Sequence, residues 1–311
     1  MNSINIPEST RQSIYKCIND KADEFLSQVD GRLEEYIEKW QLSELSFMPT
    51  NTVNLLFSCE SALYGLCVLK MCIPGAEVVT EINCLRFYDE TSYCKLWGYD
   101  LTDDVLLLER VMPGDPMWAV RDYRERARFL GMAVKDLHLP YSETERYPTY
   151  LSWMEKIHRE LTDENGMKDM LYCLDKAMEI YAELKQRHTK TCLLHGDLHQ
   201  ENMLRNSNGS YTIIDPKGVV DAPVMETARF LMNEVFRCRD SDKVREMVSI
   251  ISKVVNFSAR DILSAMFIDA ALGQSWHMIE HYAAQKDFEK AKRSALEIFE
   301  FVYGLAKENV I

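Results

Sequence analysis

Residues Leu193–Gly218, LLHGDLHQENMLRNSNGSYTIIDPKG, hold the densest chemistry in the chain. The stretch opens on the apolar run Thr191-Cys192-Leu193-Leu194, presents His195, Gly196, Asp197, Leu198, His199, Gln200, Glu201 and Asn202, and closes on Ile213-Ile214-Asp215. The pattern predicts a strand, a polar loop and then a hairpin. Asn206-Ser207-Asn208-Gly209 supplies the turn, since Asn and Gly accept the positive φ of tight hairpins. Such a turn folds Asp215 back beside Asn202. Asp197, Asn202 and Asp215 are a carboxylate, an amide and a second carboxylate. All offer hard oxygen, which suits an octahedral cation such as Mg²⁺ that takes one or two protein ligands and leaves the rest to phosphate and water.

Asp197 and Asn202 are five residues apart, the spacing of the Asp and Asn in a kinase catalytic loop. There the Asp accepts the proton of the attacking hydroxyl and the Asn ligates magnesium. An isolated Asp more often caps a turn, and His195 and His199 alone would pass for core histidines. The whole string argues otherwise. A zinc site from the two histidines lacks a Glu or Cys at zincin or finger spacing.

On these residues, HGDLHxxN followed by IDPKG, the chain resembles the aminoglycoside phosphotransferase family. Within it the sequence is similar to the streptomycin and hydroxyurea resistance kinases, in which Lys-Gly follows the metal-binding Asp. The resemblance covers most of the chain and departs at Val219-Val220-Asp221-Ala222-Pro223, where the branch reads Val-x-Gly-Asp-Pro. It implies an α+β, bilobal, protein-kinase-like fold, with a small antiparallel-sheet lobe over residues 1–112 and a mainly helical lobe over 113–311. It implies ATP and Mg²⁺ as cofactors and a small-molecule hydroxyl as phosphate acceptor. Side-chain identity does not separate ATP from GTP.

Composition bounds the alternatives. The chain has 311 residues, 47% hydrophobic and 27% charged, enough for a sizeable core. Nothing resembles a signal sequence or an eighteen-residue apolar run, so a cytoplasmic protein is expected. Nine cysteines, an odd number without a Cys-x-x-Cys pair, read as small buried hydrophobes in a reducing compartment. The net charge of −13 disfavours nucleic acid and anionic membranes and favours a cationic acceptor.

Ser9 to Trp40 carries apolar residues three and four apart, predicting one helix or two, with Gly31 a candidate break and Asp30 a candidate cap. Four β-rich runs follow: Val53–Cys59, Tyr64–Cys72, Thr91–Gly98 and Val105–Val111. Lys70 ends an otherwise apolar strand, the setting of the kinase lysine that bridges the α- and β-phosphates. Its anionic partner is expected in the helical segment Pro74–Tyr88, at Glu81 in preference to Glu77. The phosphate-covering loop is expected between the first two strands at Phe57–Ala62. It has no glycine, so Ser58 and Ser61 would contribute hydroxyls. Glu109 and Val111 lie on a presumed edge strand, where backbone groups would meet the base, and Pro113-Gly114 mark the lobe boundary.

Helical periodicity then predicts Ala119–His138, Leu151–Leu161, Lys168–Arg187, Thr227–Phe236, Lys243–Val255, Ala259–His281 and Asp287–Glu308. On the sixth of these, Asp269, Gly273, Trp276 and Glu280 share one face. That face either holds a cationic acceptor through Asp269, Trp276 and Glu280 or is a packed Trp flanked by structural ion pairs. Rival functions are a kinase of hydroxyurea or a choline-like metabolite, and a nucleotide-binding protein without turnover.

Overall fold

The computed structural model describes residues 6–49, 53–75, 77–89, 91–137, 139, 141, 147–162, 167–284 and 287–307, and of these the side chains of all but 136, 162 and 280–284. The chain forms two compact units. One comprises Met1–Asp115 with Arg205–Ile214, the other Pro116–Leu204 with Asp215–Ile311. The division therefore falls a few residues after the expected 112, and the hairpin segment downstream of the catalytic loop belongs to the first unit. A backbone bond explains the hairpin's place: Cys94 N–H donates to the Ile213 carbonyl at 2.8 Å.

The first unit begins with helices α1 (Glu8–Ile18) and α2 (Ala22–Trp40). The break between them is a 3₁₀ turn at Asn19–Lys21, and α2 runs through Gly31. A helix-interior glycine costs only about 0.5–1 kcal/mol, less than the buried stripe Phe25, Val29, Leu33, Tyr36 and Trp40 returns. Strand β1 (Leu42–Phe47) follows at once, then β2 (Leu55–Ser61), β3 (Gly65–Met71), helix α3 (Glu77–Phe87), β4 (Leu96–Asp100) and β5 (Val105–Glu109). They make an antiparallel sheet in the order β1-β2-β3-β5-β4.

Two expectations fail here. Strand β1 is absent from the sequence reading because Leu-Ser-Glu-Leu-Ser-Phe is half polar and has no apolar run, as an edge strand with one solvated side should be. Its presence moves the first inter-strand connection to residues 48–54, of which 50–52 lie outside the described residues. Strand β5, expected at the edge, is flanked by β3 and β4.

Period-2 alternation sets the two faces of the sheet. Phe57, Cys59, Cys67, Leu69, Met71, Val105 and Leu107 join the α2 stripe in one buried cluster. Lys70, between Leu69 and Met71, therefore points to the other face.

The second unit is mainly helical: α4 (Tyr123–Leu137), α5 (Tyr150–Thr162), α6 (Lys168–Arg187), α7 (Ala228–Arg237), α8 (Ser241–Val255), α9 (Ala259–Ala284) and α10 (Phe288–Lys307). Helix α9 is enclosed by the other helices, and Ile262 to Leu272 are buried around its whole circumference. Two short strands, Cys192–Leu194 and Val219–Asp221, pair antiparallel beside the catalytic loop. Seven of the nine cysteines are buried. Among the described residues no helix is long and apolar enough to cross a membrane.

Candidate active site

In the first unit, Lys70 and Glu81 meet. The Lys70 Nζ donates to both Glu81 carboxylate oxygens at 2.7 Å, with both residues buried. Glu77 is exposed in the first turn of α3, so the pairing falls on Glu81. The helix explains the choice: four residues separate the two glutamates, one turn, and only the later one reaches the sheet.

The expected phosphate-loop serines are elsewhere. Ser58 lies inside β2 opposite Val68, and its hydroxyl donates to the Ser46 carbonyl at 3.4 Å. The Ser61 hydroxyl donates to the Trp40 carbonyl at 2.8 Å and accepts from Leu63 N–H at 3.2 Å. The Ser58 hydroxyl ties β2 to β1 and the Ser61 hydroxyl ties β2 to the end of α2, and the β2–β3 hairpin, where the phosphate loop is expected, is the tight turn Ala62–Tyr64 closed by Gly65 at φ +77°. Glu109 is likewise occupied. Its N–H donates to the Lys95 carbonyl at 2.9 Å and its carboxylate accepts from Lys95 N–H at 3.1 Å. Val111 follows it, buried.

In the second unit, His195 is the hub of the catalytic loop. Its carbonyl accepts from Lys217 N–H at 2.8 Å and Gly218 N–H at 3.1 Å, which ties the Asp215–Gly218 segment to the loop. Its Nδ1 accepts from Asp197 N–H at 3.1 Å. Gly196 adopts φ +79°, and a Cβ there would come within 2.5 Å of Val219 Cγ2, so only glycine fits. The Asn202 side-chain N–H donates to the Asp197 carbonyl at 3.0 Å. This bond turns the amide oxygen of Asn202 away from the loop backbone as a hard donor. Asp215, at φ +57°, sits in the left-handed region, which Asp tolerates better than most residues. Among the described residues no group of three or more His, Cys, Asp or Glu is placed to hold a metal, so the zinc alternative has no triad.

The Asp197 carboxylate is 27% exposed and lies 3.4 Å from Arg229 Nε and 3.8 Å from His199 Nε2. Beyond the guanidinium, Asp269 Oδ1 stands 3.3 Å from Arg229 Nη2. Asp269 is 1% exposed. Burial pushes its carboxyl up from the ordinary range, Arg229 pulls it back, and Asp197 adds to the rise. For Arg229, burial works against the charge, yet Asp269 and Asp197 leave its pKa raised. Asp269 therefore faces an arginine of its own chain, as in the structural alternative for that helix face. Trp276, half-buried, meets Trp153 edge-on at 6.0 Å. Glu280 lies on α9 with its side chain outside the described residues.

Three functional neighbours escaped the sequence reading. Glu226, fully buried, accepts from His195 N–H at 2.6 Å and Gly196 N–H at 3.2 Å, clamping the loop backbone. Burial pushes its carboxyl up to about 7, with the two N–H bonds opposing and Asp197 adding. Gln200 donates to the Phe230 carbonyl at 3.0 Å and to Glu234 at 3.1 Å, fastening the loop to α7. Arg229 is the third. The acid displaced at the family departure is Asp221. It is buried and accepts from Tyr150 N–H at 3.0 Å, the Tyr181 hydroxyl at 2.9 Å and Lys185 Nζ at 3.1 Å, so it serves as a packing hub.

Comparison with known families bears on this constellation. The family model for aminoglycoside/hydroxyurea antibiotic resistance kinases matches residues 39–280. The chain belongs to this family. Among curated relatives, the hydroxyurea phosphotransferase of Kitasatospora aureofaciens is 25% identical over 218 residues, covering 68% of this chain and 63% of that protein. The streptomycin 6-kinase of Streptomyces griseus is 19% identical over 233 residues, covering 71% and 72%. Among solved structures, choline kinase LicA from Streptococcus pneumoniae superposes with a TM-score of 0.66 at 14% identity, over 90% of this chain and 99% of that one. LicA has also been solved with AMP. The fold is thus the protein-kinase-like α+β fold shared by choline kinases and aminoglycoside phosphotransferases.

Proposed function

We propose that this member of the resistance-kinase family transfers the γ-phosphoryl group of ATP to a hydroxyl of an aminoglycoside-like small molecule. The observation that carries the reading is the catalytic loop. Asp197 keeps its carboxylate partly open while its backbone carbonyl orients Asn202, the arrangement a proton acceptor beside a metal-bound phosphate needs.

In this reading Asp197 accepts the proton of the acceptor hydroxyl as the hydroxyl oxygen bonds to the γ-phosphorus and the bond to the β-phosphate oxygen breaks. Lys70, fixed by Glu81, sets the phosphates. Mg²⁺ fits the donors present: the Asn202 amide oxygen and the Asp215 carboxylate are hard and few, as magnesium prefers. It would supply charge neutralisation at the phosphates. Ser58 and Ser61, both bonded inside the first unit, take no part in phosphate binding in this reading. In this reading the base meets the backbone at the Glu109 carbonyl and Val111 N–H. Trp276, half-buried on α9, is the aromatic face for the acceptor in this reading, suited to the underside of a sugar or an ammonium.

Hydroxyurea is a second acceptor with a specific reason behind it, since the hydroxyurea phosphotransferase shares more identity than the streptomycin enzyme. The test is ³¹P NMR of the purified protein with Mg·ATP and streptomycin or hydroxyurea in turn. A new phosphomonoester resonance with streptomycin supports the first reading, and one with hydroxyurea alone supports the second. Intact ATP with both would leave a nucleotide-binding protein.

A further inference from the structure

Within the helical unit two buried arginine–carboxylate contacts differ in kind. Arg126 grips Glu234 through two parallel bonds at 2.6 and 2.7 Å, with Lys243 Nζ at 2.8 Å on the same carboxylate. Every strong donor there is used, which is what a structural ion pair requires. Arg229 is built otherwise. One guanidinium stands between two carboxylates at 3.3 and 3.4 Å, and Arg229 Nε and both oxygens of Asp269 are buried without a hydrogen-bond partner. Buried polar atoms are nearly always satisfied, and the exceptions cluster where function needs them. Gly273, one turn after Asp269 on α9, faces the guanidinium, and a Cβ there would make ordinary van der Waals contact with Arg229 Nη1 at 3.5 Å.

We propose that Arg229, anchored by Asp269, is the positioning residue that holds the Asp197 carboxylate toward the acceptor hydroxyl. The inference rests on the phosphotransferase reading above and moves Asp269 out of the acceptor-binding set. Asp269 is too deeply buried to meet an ammonium, and its charge is opposed by Arg229. It keeps the guanidinium from collapsing fully onto Asp197, so the base is oriented without being saturated. Contacts of this length tighten when a substrate docks and the reacting groups align.

The experiment compares Arg229→Ala, Arg229→Lys, Asp269→Asn and the Arg229→Ala/Asp269→Asn double variant, with streptomycin as acceptor. Thermal unfolding and Mg·AMP-PNP affinity are measured alongside. Arg229→Ala is expected to lower kcat about 100-fold, the scale of a misplaced reacting group. Its KM for streptomycin and its AMP-PNP affinity should stay within about threefold. Arg229→Lys should recover about tenfold, and millimolar guanidinium should rescue Arg229→Ala in part. The double variant should be no slower than Arg229→Ala alone, because Asp269 acts only through Arg229. A raised KM with intact kcat would overturn the proposal by placing Arg229 in the acceptor site. So would additive losses, or a loss that follows the unfolded fraction. If the wild type phosphorylates neither streptomycin nor hydroxyurea, the functional reading fails separately. The order wild type, Arg229→Lys, Arg229→Ala is then read on intrinsic ATP hydrolysis, where equal rates overturn the positioning role.

Discussion

Lys70–Glu81 and Asp197–Arg229–Asp269 are charge constellations, one in each unit, the first buried and the second partly open, and they are finished to different degrees. The first is complete: a lysine against both oxygens of one glutamate at 2.7 Å. The second leaves three buried polar atoms unsatisfied. Closure suits a group that must present one fixed charge to phosphates. Incompleteness suits a group that must meet a variable hydroxyl, because an under-bonded carboxylate still has acceptor capacity to give. The comparison fits the proposal that the rigid pair handles the nucleotide and the loose triad the acceptor.

The sharpest way to break that assignment is Asp197→Ala. Loss of a proton acceptor lowers turnover by about 10²- to 10⁴-fold, and Mg·AMP-PNP affinity should stay near wild type in a calorimetric titration. A variant that loses nucleotide affinity instead would merge the two roles. Next in size is the rigid pair. Lys70→Ala and Glu81→Ala are each expected to cost about 10²-fold in kcat/KM, as removal of a charge-stabilising donor does. In combination they should cost much less than the product, since each acts through the same contact. Steady-state kinetics of the two single variants and the double variant decide it, and independent losses would dissolve the pair.

Glu226 sharpens the comparison through pH. Its folded pKa of about 7 lies above the ordinary 4.5, so the folded chain holds the proton more tightly than the unfolded one. Its contribution to stability is complete below pH 4.5, falls as pH rises to about 7 and is flat beyond. That is a change on the order of 3 kcal/mol. Glu226→Gln removes this dependence. Unfolding curves of wild type and variant at pH 5 and pH 8 should therefore show the wild type losing more stability between the two values than the variant, and parallel behaviour would remove Glu226 as the titrating clamp. The smallest effect belongs to Ser58→Ala and Ser61→Ala. With both hydroxyls bonded inside the first unit, AMP-PNP affinity should change less than threefold, and a larger loss would return them to the phosphates.

What was legible in the sequence follows from range. The Lys70–Glu81 contact and the strand, loop and hairpin that carry Asp197, Asn202 and Asp215 were legible because strand and loop patterns are local, written over a few residues at fixed spacing. The helical stripes were read for the same reason. Strand β1 was missed because Ser43, Glu44 and Ser46 break up its apolar residues, and that omission shifted the first inter-strand connection by one hairpin. Glu226 and Arg229 were missed because their meaning is tertiary. Nothing near them in sequence tells that one clamps His195 and Gly196 while the other spans Asp197 and Asp269. Asp269 was noticed for its helix face, yet its partner lies forty residues upstream on α7.

The most direct test of the central claim follows the γ-phosphate. Purified protein with Mg²⁺ and ATP labelled at the γ-phosphate is incubated with streptomycin and with hydroxyurea, beside Asp197→Ala as the reference. The account predicts label on the acceptor with wild type and at least 10²-fold less with the variant. Labelled ATP that binds yet stays intact in every reaction, or equal transfer by both proteins, would contradict it.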